Sequence, residues 1–551
     1  MPKHFKKLKN IDRKLIHKKF VTIQILAVSL AISFSYLLIH FLFTYKFSVF
    51  FSVLTSLPIT CIIWHRCYQI LYDLKLLYFD NSYDTNIIRD PNKKYPPITF
   101  VIPSCHEPFS VAKMTFDSIL SDDYEGFKEI IIVDNTKSTT TEDFVKWKDY
   151  VESFNQRFPK TYASSKFLYN EQQNKLKPGN LDLAQKSAIC GEYVVILDVD
   201  STLPPNNKLL MQAITEFEAD EALGFIQFRI KATNYHFNNL TMGVAVSQDL
   251  LRLRMISRGY GGYKIFEGHN GIWRKKTLDE IGDWTEYYKS NIIITEDILK
   301  SAHTYSAGYY GKPLNIETGE WVPSSLKALE GMWMRWMYGN SQVFFKSFRD
   351  IYSKNTNIVE KFDISYHVLH HLITLLFIVT AIMLQIFMRG AYTNIFILLF
   401  GIIPQVVAAF ISYETSVKNL NTSFFKKIRH IYSSFFMIET FIMFTQIKSD
   451  IKFFFGFRHG WKVTQKGIED VDSVLRIILY NGFYISCVML LILFCLISWI
   501  FNYNMSFYSI FHHSGLLFIS FNLLFCVLVF SKQGRKVHNN VADHKHVNKS
   551  R

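Results

Sequence analysis

What most constrains this chain is where its long apolar runs fall. A bilayer core takes about 20 mostly apolar residues per helix. Runs of that kind lie near residues 21 to 44 and 47 to 71, then at 366 to 388, 391 to 412, 474 to 500 and 509 to 530. This spacing predicts two membrane helices, a water-facing domain and four further membrane helices. A seventh run, Phe435 to Gln446, is short and contains Glu439. Lys426, Lys427 and Arg429 flank it on one side, and Lys448, Lys452, Arg458, Lys462 and Lys466 on the other. A span there would push one basic cluster outside, so an interfacial or re-entrant element over 431–447 is expected.

Charge supports the same plan. Of the net +15, residues 1–19 carry +7 and residues 531–551 carry +5. Basic tails beside apolar spans read as cytosolic anchors drawn to anionic lipid. With no basic groove or stacking motif between them, nucleic acid is not an expected partner. The N-terminal basic segment and its apolar run are both too long for a cleaved leader, so a retained first span is expected. The seven cysteines at 61, 67, 105, 190, 487, 495 and 526 form no CxxC pair and no metal spacing, so free thiols are expected. The predicted organisation is a tail with two spans (1–79), a cytosolic domain (80–350) ending in an amphipathic interfacial helix (325–348), four spans (351–530) and a basic tail (531–551).

Within 80–350 the pattern changes. Short apolar runs at 98–102, 129–133, 166–169, 193–197 and 223–230 alternate with stretches of helical length, the rhythm of βα units on a mostly parallel sheet. Ligands of such sheets bind beyond the carboxyl ends of the strands. Pro103 to Glu107 follow the first run, Asp134 and Asn135 the second, and Asp198-Val199-Asp200 the fourth. Two carboxylates separated by one residue at a strand end suit Mg²⁺ or Mn²⁺ that also binds phosphate oxygens, so Asp198 and Asp200 are the candidate metal ligands. A DxD is equally at home in a solvated turn; its place after the apolar VVIL argues for the site. Thr295-Glu296-Asp297 offers carboxylates for general-base work, and the same triplet reads as a capped helix start.

The ordered series VIPSCHEP, IIVDN, KPGN, LDVD, FEGHNGIWR, ITEDI, MRW and WKVTQKG, from Pro97 to Gly467, resembles the processive, cellulose synthase-like family 2 glycosyltransferases. The resemblance implies an α/β GT-A catalytic domain, Rossmann-like, inserted between membrane helices. It also implies an inverting hexosyltransferase that extends a β-linked polysaccharide from a nucleotide sugar and passes it across the membrane. Carried over by position, it puts Pro103, Glu107, Asp134, Lys177, Gly179, Asn180, Asp198 and Arg335 around the nucleotide sugar. Gly268, His269, Asn270 and Trp336 fall on the acceptor side, and Asp297 is the base, with Glu296 and Thr295 beside it. Residues 456–470 resemble a gating loop in which Thr464 and Lys466 reach the diphosphate.

Two departures bear on the sugar: Met332 stands where the family has Gln, and Gln465 where it has Pro. UDP-glucose is the favoured donor by resemblance, with GDP-mannose its rival. The alternatives are a non-processive transferase acting on a lipid acceptor and, more remotely, a transporter or scaffold that has lost catalysis. The latter predicts broken acidic motifs, which are intact here. The expected partners are the nucleotide sugar, the growing polysaccharide and the bilayer; the sequence is silent on accessory subunits.

Overall fold

A computed structural model describes residues 22, 25–33, 58–71, 94–157, 162–187, 191–205, 208–259, 263–387, 390–457, 478–503 and 512–531. The water-facing domain opens with β1 (Ile98–Ser104), α1 (Phe109–Ser121), β2 (Lys128–Asp134), α2 (Glu142–Arg157), β3 (Ala163–Tyr169) and α3 (Leu176–Lys186). It continues through β4 (Tyr193–Ile196), α4 (Leu209–Ala219), β5 (Leu223–Ala232), α5 (Asn239–Gly259), β6 (Gly271–Arg274) and α6 (Lys275–Ile281). The hairpin of β7 (Tyr287–Tyr288) and β8 (Asn291–Ile292), then α7 (Glu296–Ala307), β9 (Tyr310–Glu320) and α8 (Leu326–Lys346), complete it.

The main sheet has the order β3-β2-β1-β4-β6-β5-β9. Neighbours run parallel except where β6 enters antiparallel between β4 and β5. All five predicted apolar runs are strands, and the α/β GT-A architecture is as expected. Alternation along the strands divides the core. Ile98, Phe100, Ile102, Ile130, Ile132 and Val195 pack into one face, while Val101, Ile131, Val133, Val194 and Ile196 pack into the other. A two-residue period across a sheet covered on both sides produces this split.

The membrane part comprises α9 (Ile358–Phe387), α10, α11, α12 (Gly482–Tyr503) and α13 (Ser514–Phe530). Here α10 is the succession Gly390–Ile397, Leu398–Ile402, Ile403–Ser412 and Tyr413–Val417, and α11 the succession Phe424–Tyr432, Ser433–Ile438 and Glu439–Phe454, with π-helical turns at Leu398–Ile402, Tyr413–Val417 and Ser433–Ile438. Among the described residues three helices are long and apolar enough to cross a membrane: Ile358–Ile386, Thr393–Val417 and Gly482–Ile500. Ser514–Phe530 is apolar but shorter. Most of the first predicted span lies outside the described residues; of the second, residues 58–71 are helical.

The element expected over 431–447 is part of the much longer α11. The sequence masks its length because Ser433, Ser434, Thr445, Ser449 and Asp450 are buried against protein. Asp450 is paired with the fully buried His371 at 2.6 Å. Polar side chains satisfied in this way need no lipid-compatible character.

The interfacial helix predicted over 325–348 forms as α8, with the Ser325 hydroxyl accepting from the Ala328 amide at its start. Its Leu329, Met332, Trp333 and Met337 join Ile59, Ile62, Phe441 and Ile442 in the membrane-side core. This helix couples the two halves of the molecule.

Candidate active site

At the carboxyl ends of the strands lies a cavity of about 1110 Å³. Its wall includes Pro103, Glu107, Lys177, Asn180, Asp198, Asp200, Gly268, His269, Thr295, Glu296, Asp297, Arg335 and Trp336. Residues separated by more than 230 positions in the chain thus share one space. Asp134, Gly179 and Asn270 do not line it. Thr464 and Lys466 lie outside the described residues, as does the expected gating loop apart from Gly456 and Phe457.

Asp198 and Asp200 follow β4 directly. The Lys177 ammonium reaches from α3 to Asp198 Oδ1 at 2.6 Å and donates to the Gly268 carbonyl at 3.0 Å. Lys177-Pro178-Gly179-Asn180, a stretch that could pass for a turn, form the first turns of α3. A proline costs no hydrogen bond there because the first amides of a helix lack intrahelical acceptors. The turn itself comes earlier, at Leu176, whose φ of +56° is left-handed. Gly179 is needed for close packing, since a Cβ would fall 2.3 Å from Lys175 Cβ. Asn180 ties the sheet to α3, its amide donating to the carbonyls of Val133 (3.1 Å) and Ser104 (3.3 Å). Asp134 is buried and accepts from the Thr136 amide at 2.7 Å, which shapes the loop after β2.

Gly268, His269 and Asn270 form the turn entering β6. Gly268 has φ +88°, and a Cβ there would come within 3.0 Å of Asp297 Oδ2. Only glycine leaves that approach open at that φ. Asn270, also left-handed at φ +52°, is fully buried, with its amide donating to Thr318 Oγ1 and the Gly319 carbonyl, both at 3.0 Å. Below the turn Phe266, Trp273 and Trp284 pack edge to face, with centroids 5.1 Å (Phe266–Trp273) and 5.8 Å (Trp273–Trp284) apart. Such pairs add about 1 kcal/mol each beyond area burial and make a stiff floor.

His269 is held at both ring nitrogens. Nδ1 is 3.2 Å from Ser201 Oγ, which also accepts from the Asp198 amide, and Nε2 is 2.9 Å from Glu320. Arg252 of α5 binds the other Glu320 oxygen at 2.8 Å. Burial alone would lower the histidine's pKa, but the Asp198 and Glu320 carboxylates outweigh it and raise it to about 9. Burial pushes Glu320 the other way, yet Arg252 and His269 bring it down to about 2. The two carboxylates thus favour the protonated imidazole. Arg252 and Glu320 were not among the expected site residues. One sits on a helix that buries polar and apolar residues alike and the other ends a polar edge strand, and neither carries a local motif.

Thr295 occupies the N-cap position of α7 without donating or accepting a cap bond through its side chain. Instead the Ile298 amide binds Asp297 Oδ1 at 2.9 Å. Desolvation raises the pKa of Glu296 to about 7, opposed by Lys177 and reinforced by Asp297. Asp297 is also raised, by burial against the pull of Lys177. Such a shift is what a carboxylate needs to accept a proton near neutral pH. Arg335 faces Glu296, Asp198 and Asp297 electrostatically, and Trp336 packs edge to face on Trp333 at 5.2 Å. Met332 is buried and takes a 3.9 Å contact from Gln248 Nε2.

Among the described residues no three His, Cys, Asp or Glu side chains gather as a metal cluster. Asp198 and Asp200 supply two hard oxygen donors on the cavity wall. That set fits a divalent ion whose other positions go to diphosphate and water, the habit of Mg²⁺.

Residues 99–282 match the model of glycosyl transferase family 2, and residues 193–413 that of glycosyl transferase family group 2. The chain is similar to a probable glucomannan 4-beta-mannosyltransferase 6 of Oryza sativa subsp. japonica, 22% identical over 346 residues (60% of this chain, 57% of the relative). It is also similar to glucomannan 4-beta-mannosyltransferase 9 of Arabidopsis thaliana, 23% identical over 299 residues (52% and 54%). The chain thus spans a little over half the length of the curated relatives it matches. Solved structures with a likeness are mannosyltransferase PcManGT from Pyrobaculum calidifontis in complex with GDP-Man and Mn²⁺ (16% identity, TM-score 0.48, 73% of this chain and 99% of that one) and S. aureus TarS (14%, 0.33, 68% and 57%). The two family matches overlap and together run over the sheet, the acidic motifs and α8, so that the chain carries glycosyltransferase family 2 domains.

Proposed function

We propose that this protein is an inverting hexosyltransferase that moves a hexose from a nucleoside diphosphate sugar to the hydroxyl of a β-linked glycan and works processively at the membrane. The observation that carries this reading is the meeting of Asp297 with the Asp198–Lys177 pair in one cavity, so that a proton acceptor and a diphosphate-binding end face the same space. Asp297 takes the proton of the acceptor hydroxyl as the new glycosidic bond forms and the bond to the diphosphate breaks on the opposite face of the sugar. Gly268 keeps the approach to Asp297 clear. Arg335 and Lys177 counter charge on the departing diphosphate, and Trp336 offers a ring face to the acceptor sugar.

Asp198 and Asp200 would hold Mg²⁺ or Mn²⁺, which when bound offsets diphosphate charge. Glu107, Asn180 and Pro103 wall the nucleotide end. The catalytic domain and both tails face the cytosol in this reading, as the basic tails favour.

The resemblance points to UDP-glucose and two relatives named as mannosyltransferases point to a mannose donor, so that UDP-glucose and GDP-mannose stand level. The experiment is a donor panel with the purified protein in proteoliposomes, followed by linkage and length analysis of the product. Long β-linked polymer from one donor is the expected result. Addition of a single sugar per acceptor would overturn processivity, and no transfer from any hexose donor would overturn the reading as a whole.

A further inference from the structure

Along α8 the cavity wall holds neutral polar atoms that the protein itself leaves unsatisfied. Gln248 of α5 and Asn340 of α8 both line the cavity and are 3% and 2% exposed. The Gln248 amide nitrogen lies 3.9 Å from Met332 Sδ, and the Asn340 amide nitrogen 3.5 Å from the His367 carbonyl. A thioether sulfur and a backbone carbonyl only accept, which fixes the NH₂ end of each side chain toward its neighbour. Gln248 Oε1 and Asn340 Oδ1 are then buried without a hydrogen bond among the described residues. So is Trp333 Nε1, a donor on a residue lining the same cavity. Native interiors rarely leave such atoms unpaired, and each instance calls for a reason.

Their placement follows the helix. Met332, Trp336 and Asn340 recur every four residues on one side of α8 and span about 12 Å. Gln248 meets that side at Met332, so the position of Trp336 falls between the two carboxamides. Gln248 is also one turn from Arg252, whose pairing with Glu320 supports His269 in the turn before β6.

The chemistry of these atoms selects what can satisfy them. An ionised phosphate or carboxylate only accepts, so it could meet Trp333 but neither carboxamide oxygen. A hydroxyl donates and accepts at once and meets all three. The terminal torsion of a carboxamide is soft, so either oxygen can turn to a ligand in the cavity. We propose that Gln248 and Asn340 determine acceptor specificity, each taking a hydrogen bond from a hydroxyl of the bound glycan on either side of Trp336. The class of ligand this wall takes is a neutral, hydroxyl-rich sugar. Met332 serves the same end, because its sulfur holds the Gln248 amide only weakly. This rests on the transferase reading and names the side chains that read its acceptor.

The test gives the full-length protein in nanodiscs, with the donor the panel selects, a β-linked trisaccharide of the same sugar and its monodeoxyfluoro analogues, since fluorine cannot donate a hydrogen bond. An analogue that loses a read hydroxyl should show a KM roughly tenfold above that of the parent, the scale of one buried oxygen left unpaired. Gln248→Met, close in volume, should raise the parent KM by a similar factor and cancel the penalty at one hydroxyl; Asn340→Leu should cancel it at another. Gln248→Met should also leave Tm level or raise it, since it removes an unsatisfied buried atom, whereas a purely structural role predicts a fall. Equal KM values across the fluorinated series would overturn the proposal. So would penalties that both variants leave in place, or a uronate-terminated trisaccharide that binds more tightly than the neutral parent. Should one variant fail to fold, the other decides; failure of both would mark the two side chains as structural and overturn the proposal too. Release of nucleoside diphosphate without acceptor, followed in the wild type, separates the two readings. Release with a flat KM series removes this proposal alone, and no release from any donor removes the transferase reading with it.

Discussion

The two ends of the cavity differ in what surrounds their charges. Toward the sheet, Asp198, Asp200, Glu296, Asp297 and Glu320 stand against Lys177, His269, Arg252 and Arg335, and each cation is tied to or faces a named carboxylate. Toward the membrane helices, among the described residues, Arg258 meets Asp363 at 3.2 Å and lies over the Tyr366 ring, and Glu439 faces both Arg254 and Arg66. In the proposed reading the sheet end takes a cation and a diphosphate together, while the membrane end sets its charges among aromatic rings and helices.

The comparison breaks most visibly at Asp297. Asp297→Asn should lower kcat by about three orders of magnitude, the scale of losing a positioned base, with donor affinity retained by calorimetry; a loss under tenfold would remove Asp297 from the role of base. Asp200→Asn should reduce turnover by roughly two orders of magnitude and raise the Mn²⁺ concentration needed for half-maximal rate, because a hard dication loses one of two carboxylates. Activity indifferent to chelator would refute the metal assignment.

Gly339 packs so closely on Thr295 that a Cβ would fall 2.5 Å from its Oγ1. Gly339→Ala should therefore cost about 1–3 kcal/mol as overpacking, visible as a lower Tm.

The smallest effect concerns His269. Its pKa is raised above 6.5 to about 9, so its contribution to stability is complete below pH 6.5 and lost as pH rises through about 9. Glu320, lowered to about 2, holds its contribution above pH 4.5 and loses it only as pH falls toward 2. Between pH 6.5 and 9 the wild-type Tm should therefore fall more steeply than that of His269→Gln. Parallel profiles would show that the imidazolium is not what Glu320 holds.

Much of this architecture is legible in the chain, for physical reasons that also mark where legibility ends. Strands β1, β2, β4 and β5 stand out because a sheet covered on both faces fills most of their positions with buried apolar residues. Strand β9 ends the sheet order beside β5, with one isolated bridge from Gly319 to Thr202, and its YGKPLNIETGE could pass for a loop. Strand β6 is four residues long and hidden within the motif FEGHNGIWR. Helix α11 escaped because protein, not lipid, satisfies its polar residues.

At the site, the spacing of Asp198 and Asp200 and the resemblance at Asp297 pointed to residues that the fold brings to one cavity. Arg252 and Glu320 were not locatable, since they lie on α5 and β9 and only tertiary packing brings them together.

Helix α8 has a consequence for tolerance to insertion. It presents Arg335 and Trp336 to the cavity, wedges Gly339 against Thr295, and through Gln342 both accepts from the Ile294 amide at 3.2 Å and donates to the Ile292 carbonyl at 3.1 Å. In the proposed reading, base, leaving-group cation and acceptor platform are thus indexed to one rod. Adding a single residue between Trp336 and Gly339 would turn one half of that rod by about 100° against the other. Loops elsewhere in the domain can lengthen freely, but along these few residues the chain has no slack.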